Sequence, residues 1–458
     1  MQRRRWINLF ALTSASLLLA TGCVEKVTTN TGSGSSSGAN TGGTGGSSGG
    51  APNANVIGGS NANGEPVLAK YAGQSLGFGK VPDKPTKAGS GAPIKLGMIN
   101  QENTPLGSFP ELRLGAEAAV KLINEELGGI DGRPLELVPC VTTFSVEKSQ
   151  ACAQDLVQKQ VVGVTGGIDI TSTGSIPVLE QNNMPYLGGI PINFEEMKSP
   201  ISFQFSGGSP GAMVAFAKHA SDSGAKKVVV LYGDYPPIKA AAVDYGVATL
   251  KQLGVPDVTE VPFNILATDF LPIITKANEN NPDAIFVGAA DTACEPAMRT
   301  AKELGVTAKM YFVGACAAPS IAEKLGVDAV NGKIFNIESE TNTGDAEGAI
   351  YFAAVAKYGD PKLPAASAAT ISFRNVMNIY SLMKEIGADK VSPATLLDTV
   401  RKAKNRPSFN GHPYTCDGTQ IKALPSMCAA QQVLVERQGD TLKALGGWID
   451  VPKILAGG

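Results

Sequence analysis

From Ile94 onward the chain alternates short apolar runs with longer segments of helical periodicity. The run IKLGMI is followed by FPELRLGAEAAVKLINEELGG, in which apolar residues recur at helical spacing from Leu112 to Ile123 before two glycines end the helix. The same alternation continues to about residue 205 and then starts again. Short strands separated by helices of about 10–15 residues indicate βαβ units, whose parallel sheet is covered on both faces. Two such windings predict an α/β protein of two similar lobes.

The remainder of the chain follows a different pattern. We predict lobe 1 over residues 91–205 and lobe 2 over 206–335, followed by a segment, 336–458, that is rich in long helices and crosses back to complete both lobes. Ligands of open parallel sheets collect beyond the carboxyl ends of the strands. Two facing sheets would therefore form a cleft, and the residues that follow each strand become the candidates for its lining.

The N-terminus has the order of an export signal. Arg3–Arg5 precede a short apolar run and small residues that end in LATGC. This ending resembles the lipobox of bacterial lipoproteins, with Ala20 where leucine is usual. The resemblance implies a signal peptide over 1–22 and lipidation of Cys23, which places the protein on the extracytoplasmic face of the cell membrane. The alternative is an ordinary signal peptide that is cleaved elsewhere and leaves Cys23 as a free thiol.

A segment rich in Gly, Ser, Thr and Asn follows Cys23. Such a composition cannot bury enough apolar surface to offset the entropy of ordering, so residues 23–90 are predicted to be a flexible tether. Removing residues 1–22 takes away three arginines and no acids, which shifts the formal net charge from −2 to −5. A mildly acidic chain without a basic run is a poor candidate for binding nucleic acid.

Six cysteines remain besides Cys23, and an even number in an exported chain favours disulfides. They fall into three couples that are close in sequence, so we predict the pairs Cys140–Cys152, Cys294–Cys316 and Cys416–Cys428. Free buried thiols are the alternative. No couple has C-x-x-C spacing, and only two histidines are present, so neither a zinc site nor any other metal or cofactor is predicted.

Four segments together resemble the type-1 periplasmic binding proteins, in particular the leucine/isoleucine/valine and amide receptors of ABC importers. They are KLGMINQENTPLG, LGAEAAVKLINEELGGIDGRPLELV, VVGVTGGIDITSTGSIPVLEQNNMPYL and KKVVVLYGDY, in the order and spacing of that family. The resemblance covers about 94–450. It implies two Rossmann-like lobes with parallel sheets, joined by a three-segment hinge that closes on a small solute. The partners it implies are an ABC permease and a small-molecule ligand, and we expect a monomer.

In lobe 1 the resemblance implies hydroxyl and backbone contacts to a ligand carboxylate after the third and fourth strands. A helix N-terminus also favours a carboxylate on physical grounds. The alternative for one of the hydroxyls is that it caps the following helix. Phe109 occupies the loop where relatives carry an aromatic lid, and packing at the helix start is the alternative. The candidate ligand-binding residues of lobe 1 are Phe109, Thr171, Ser172, Thr173, Gly189 and Ile190.

In lobe 2 the sequence departs from the family. The place where relatives carry an acid for the ligand ammonium is Cys316, and Ala290 or Asp291 replaces a tyrosine. Asp291 could supply the missing negative charge, with Glu295 behind it, and Tyr235 is the candidate aromatic wall. The solute is therefore expected to carry a carboxyl group, while its identity stays open.

A second motif favours another class of function. GGSPG at 207–211 matches the G-x-S-x-G of hydrolases, with Ser209 as the nucleophile, but Pro210 lacks the N–H that an oxyanion hole needs. A helix-cap role for Ser209 is the structural alternative. The sequence thus predicts a binding protein rather than an enzyme. Two alternatives stay open, a sensor that passes closure to a signalling partner and a serine hydrolase.

Overall fold

The structure, a computed structural model, describes residues 65–457 apart from 105, 290, 340–344 and the side chain of Asp291. The predicted signal peptide, the lipidation site Cys23 and the tether up to residue 64 lie outside the described residues. The described chain begins with a short antiparallel hairpin of β1 (Ser75–Leu76) and β2 (Gly79–Lys80). Within the described ranges, no helix combines the length and the apolar character that crossing a membrane requires.

Lobe 1 is built on a five-stranded parallel sheet with the order β4-β3-β5-β6-β7. Its strands are β3 (Ile94–Gln101), β4 (Leu135–Thr142), β5 (Gly163–Gly166), β6 (Tyr186–Leu187) and β7 (Ser202–Phe203). Its helices are α1 (Pro110–Glu126), α2 (Val146–Gln158), α3 (Ser175–Gln181) and α4 (Phe194–Lys198). Helix α1 ends where the sequence predicts, because Gly128 and Gly129 adopt positive φ of 77° and 65°, which only glycine tolerates well.

Lobe 2 is built on a seven-stranded sheet with the order β16-β15-β12-β11-β10-β8-β9. Its first part contains α5 (Gly208–Asp222), β8 (Lys227–Gly233), α6 (Pro236–Ala240), a π-helical stretch (Ala241–Val247), α7 (Ala248–Gln252), β9 (Asp257–Phe263), α8 (Leu271–Ala277), β10 (Ala284–Gly288), α9 (Cys294–Glu303), β11 (Lys309–Phe312), α10 (Pro319–Leu325), α11 (Val327–Val330) and β12 (Ile334–Ile337). Alternate residues of its strands enter different cores: Val229 and Leu231 pack on one face of the sheet, Val228 and Val230 on the other.

The last part of the chain contributes to both lobes. Helices α12 (Ala346–Tyr358), α13 (Ala369–Ile386) and α14 (Pro393–Arg401) come first, and α12 and α13 pack against α1. The hairpin of β13 (Arg406–Ser408) and β14 (Gly411–Tyr414) follows. Then β15 (Val433–Gln438) and β16 (Thr441–Ala444) join the second sheet as antiparallel strands, and α15 (Val451–Leu455) ends the described chain. The chain thus passes between the lobes three times, and the predicted two-lobed α/β fold is confirmed.

Residues 65–90 correct the prediction of a tether that reaches residue 90. The side chains of Val67, Leu68, Phe78 and Val81 are buried in the core of lobe 1. The Glu126 carboxylate accepts hydrogen bonds from the N–H groups of Val67 (2.8 Å) and Leu68 (2.7 Å). Composition does not predict this docking, because a few separated apolar residues can pack on lobe 1 without forming a periodic pattern. We call residues 65–90 the strap.

All three predicted cysteine pairs are disulfides in the structure. Cys140–Cys152 joins β4 to α2, and Cys294–Cys316 joins the start of α9 to the turn after β11. Cys416–Cys428 closes a loop in the passage from β14 to β15. The first two disulfides brace segments at or just beyond the carboxyl ends of strands, one in each lobe, and the third braces the last passage between the lobes.

Candidate functional site

Two aromatic rings from opposite lobes are in contact where strands of the two sheets end. Phe144 follows β4 in lobe 1 and Tyr235 follows β8 in lobe 2, and their ring centroids are 5.9 Å apart with the planes inclined by 53°. Both side chains are partly exposed, and Tyr235 packs against core residues of both lobes. Burial raises the pKa of Tyr235, and the charge of Asp169 raises it further, so the phenol stays protonated at neutral pH. This junction, where strands of both sheets end, marks the cleft as the candidate site.

A buried carboxylate organises the lobe 1 side of this junction. Asp169, beyond the end of β5, accepts hydrogen bonds from Thr142 Oγ1 (3.2 Å), Ser149 Oγ (2.6 Å), and the N–H (3.1 Å) and Oγ1 (2.8 Å) of Thr171. Burial raises the pKa of Asp169, and the hydrogen bonds from Ser149 and Thr171 oppose that shift. Thr142 and Ser149 flank Phe144 in the chain, so the carboxylate ties the turn that carries Phe144 to the turn after β5.

The three predicted hydroxyls have three different environments. The Thr171 hydroxyl donates to Asp169 within lobe 1, and Ser172 is fully buried, with its Oγ accepting from Asn193 Nδ2 (2.9 Å). Thr173 is exposed. Helix α3 has Gly174 at its N-cap and no side-chain capping bond, so the alternative that one of these hydroxyls caps the helix is wrong. Their contact with a ligand stays a prediction.

The remaining lobe 1 candidates are engaged in the lobe itself. Gly189, at φ 120°, donates its N–H to the amide oxygen of Asn375 (2.8 Å), whose amide nitrogen donates to the Ile371 carbonyl (3.2 Å). The Ile190 N–H donates to the Gly167 carbonyl (2.8 Å), and its side chain is partly exposed. Phe109 is 4% exposed and lies in the core at the start of α1. Its environment is that of helix-start packing, and its role as an aromatic lid stays a prediction.

In lobe 2, Asp291 begins a 3₁₀ turn after β10, and its side chain lies outside the described residues, as does Ala290. Cys316, at the place where relatives carry an acid, is bonded to Cys294, so this position braces the lobe. Glu295, in the first turn of α9, forms an ion pair with Arg299. The role of Asp291 toward a ligand stays a prediction.

A buried ion pair connects the passages between the lobes. Arg374, in α13, donates through Nη2 to the Phe205 carbonyl (3.0 Å) and to Glu338 Oε2 (3.4 Å), and through Nη1 to the Glu338 carbonyl. Glu338 Oε1 accepts from the Gly207 N–H (2.9 Å) and from Gln432 Nε2 (2.6 Å). Phe205 and Gly207 lie in the passage after β7, Glu338 lies after β12 and Gln432 lies before β15, while Arg374 reaches them from α13. We call this set of five residues the hinge cluster, because it joins all three passages.

The hydrolase motif is not assembled into a catalytic group. Ser209 lies in the first turn of α5, whose N-cap is Gly207, so the prediction that Ser209 caps the helix is wrong. His219 Nδ1 is paired with the Tyr311 hydroxyl (2.9 Å), and His412 Nδ1 with the carbonyl of its neighbouring proline. In the described part of the chain, no hydrogen bond joins Ser209 to either histidine, and no group of His, Cys, Asp and Glu side chains could hold a metal ion.

Sequence reasoning missed Phe144, Asp169 and the hinge cluster. Phe144 and Asp169 both follow strand ends, and the strand-end rule applied to every predicted strand would have included them. No local signal marks Arg374 or Glu338, because each becomes significant only through partners that are remote in sequence.

A family model described as periplasmic binding protein matches residues 93–430 of the chain. Leucine binding protein LivK from Thermotoga maritima is 19% identical, with 78% of this chain and 98% of that chain covered at a TM-score of 0.64. An ABC transporter solute binding protein from R. palustris, solved with 4-hydroxybenzoate, is 21% identical with coverages of 78% and 98% and a TM-score of 0.65. LivJ from Streptococcus pneumoniae, solved with isoleucine, is 18% identical with coverages of 77% and 99% and a TM-score of 0.63. No curated protein matches the sequence.

Proposed function

The chain belongs to the periplasmic binding protein family, and on that premise we propose that it captures a small metabolite in the cleft between its lobes and delivers it to an ABC permease. The metabolite would be an amino acid, an amide or a related organic acid. Capture by hinge closure requires no bond chemistry, so we propose a binding protein and not an enzyme.

The observation that carries this proposal is the junction of Phe144 and Tyr235. Two aromatic side chains that follow strand ends of opposite lobes are in contact, beside a turn rich in hydroxyl groups. The fold is that of proteins solved with isoleucine and with 4-hydroxybenzoate, both of which are carboxylates. A carboxyl-bearing solute therefore suits the proposal. Thr173, which is exposed, and Tyr235, with its protonated phenol, are the candidates for contacting it.

A thermal-shift screen tests the proposal. The ectodomain would be screened against amino acids, short amides, ureas and aliphatic and aromatic organic acids. A ligand present at 100 times its Kd stabilises the folded state by about 2.7 kcal/mol, which raises the melting temperature. A screen in which no compound raises the melting temperature, repeated by calorimetry, would refute capture of such solutes. Turnover of a generic ester that is lost in Ser209→Ala would instead establish the hydrolase alternative.

We further propose that Cys23 is lipidated and that residues 23–64 tether the body to the extracytoplasmic face of the membrane. The strap that follows these residues packs on lobe 1. Mass spectrometry of the mature N-terminus tests this, because a lipidated Cys23 carries acyl mass and an ordinary cleaved signal leaves none.

A further inference from the structure

Phe144 has a backbone conformation that its side chain disfavours. Its φ is 58°, in the left-handed region, whereas every other described non-glycine residue with positive φ is Asn, Asp or Gln. Asn and Asp tolerate this region because their short polar side chains bond locally, and a bulky aromatic residue there is a genuine outlier. Such strain persists only where the surroundings impose it, and it gathers at sites of function.

A disulfide and two hydrogen bonds to one carboxylate hold the Phe144 turn in this conformation. The disulfide Cys140–Cys152 joins the strand before the turn to the helix after it. The Asp169 carboxylate holds Thr142 and Ser149 on either side of the turn. The turn is thus held in place, and the Phe144 ring, partly exposed and packed on the edge of the lobe 1 core, faces lobe 2 from there.

The Phe144 ring contacts that of Tyr235 of lobe 2, with the ring centroids 5.9 Å apart. Tyr235 is itself positioned by the end of β8, where its N–H donates to the Gly233 carbonyl (2.8 Å). A contact between rings of two lobes can form only when the lobes are close, so its energy belongs to the closed arrangement.

We propose that Phe144 and Tyr235 form a latch across the cleft, which stabilises the closed arrangement over the bound solute. The consequence of this inference, tighter solute binding, rests on the proposed function. The contact between the two lobes does not. A closed state that is less populated lowers the apparent affinity in proportion. Aromatic pairs contribute enough that removing one ring is expected to raise the Kd by roughly 3–10-fold.

The test compares Phe144→Gly, Tyr235→Ala, the double variant and wild type as full-length ectodomains. Phe144→Gly removes the ring but also relieves the positive φ, which offsets part of the packing lost against lobe 1. Its melting temperature should therefore fall less than that of Phe373→Ala, which empties a fully buried site of the lobe 1 core. Phe352→Ala is the matched control, because Phe352 is a partly exposed aromatic residue of lobe 1 whose ring contacts Tyr351 of the same lobe.

Two measurements are made on each protein. Small-angle scattering without ligand should give a larger radius of gyration for both latch variants and an unchanged value for Phe352→Ala. Calorimetry with L-leucine and with 4-hydroxybenzoate as probes should give the rise in Kd. The double variant should lose no more affinity than Tyr235→Ala alone, because without the Tyr235 ring Phe144 has no latch partner to lose.

The outcomes separate the latch from the proposed function. If wild type binds neither probe, nor any compound of the screen, the proposed function fails, and the scattering comparison still decides on the latch. Unchanged radii of gyration in both latch variants would overturn the latch. Fully additive effects on Kd, or a lower melting temperature of Phe144→Gly that accounts for its weaker binding, would also overturn it.

Discussion

Replacing Arg374 with methionine should destabilise the protein far more than an average substitution. The Arg374 side chain is 2% exposed and that of its partner Glu338 is 5% exposed. Arg374→Met leaves the Glu338 carboxylate buried without its cation, and it removes the donor to the Phe205 carbonyl. Removing one partner of a buried ion pair costs about 3–5 kcal/mol, against about 1 kcal/mol for a typical substitution.

Urea unfolding followed by circular dichroism measures this cost. The control is Arg401→Met, because Arg401 is exposed and makes one bond to a carbonyl, at 2.9 Å. That variant should change stability by less than about 1 kcal/mol. The double variant Arg374→Met with Glu338→Met should cost less than the sum of the two single variants, since no uncompensated charge then remains buried. A cost below about 1 kcal/mol for Arg374→Met, or strict additivity in the double variant, would refute the reasoning.

Two further predictions concern lobe 1. Burial raises the pKa of Glu196 from 4.5 to about 8, so between those values the folded protein binds a proton that the unfolded chain releases, and stability falls as pH rises through that window. Glu196→Gln should lack this dependence, and urea midpoints of both proteins at about pH 5 and pH 9 check it; parallel pH profiles would contradict it. Glu126→Ala should release the strap, because two buried N–H groups lose their acceptor at about 1–3 kcal/mol each. Limited proteolysis should then cut within residues 65–90 faster than in Glu125→Ala, whose exposed pair with Lys87 contributes little; equal cutting rates would count against the docked strap.

Much of the fold follows from local pattern. The long helices predicted within 336–458 correspond to α12, α13 and α14, because apolar periodicity and glycine or proline boundaries act within a few residues. The three disulfides follow from proximity in sequence, since a short loop costs little entropy to close. The antiparallel strands β15 and β16 were not predicted, because strand pairing depends on partners elsewhere in the chain.

The candidate site also has a part that the sequence predicts and a part that depends on the folded lobes. Strand ends can be predicted from sequence, and Tyr235 was identified as an aromatic wall for that reason. For Phe109 the sequence left a lid and helix-start packing open, and its burial agrees with packing. The partner of Tyr235 and the hydrogen bonds to Asp169 could not be predicted, because each depends on which turns the folded lobes bring together.

The sequence by itself therefore determined an α/β chain of two similar windings with braced strand ends, and it predicts export. The alternation of apolar runs and the spacing of cysteines are local features, so what they predict does not depend on how the lobes are arranged. Only the tertiary structure decided that residues 65–90 dock on lobe 1, that Arg374 and Glu338 join the three passages, and that Phe144 meets Tyr235. Each of these depends on side chains that are tens to hundreds of residues apart, whose encounter is an outcome of packing and not of periodicity.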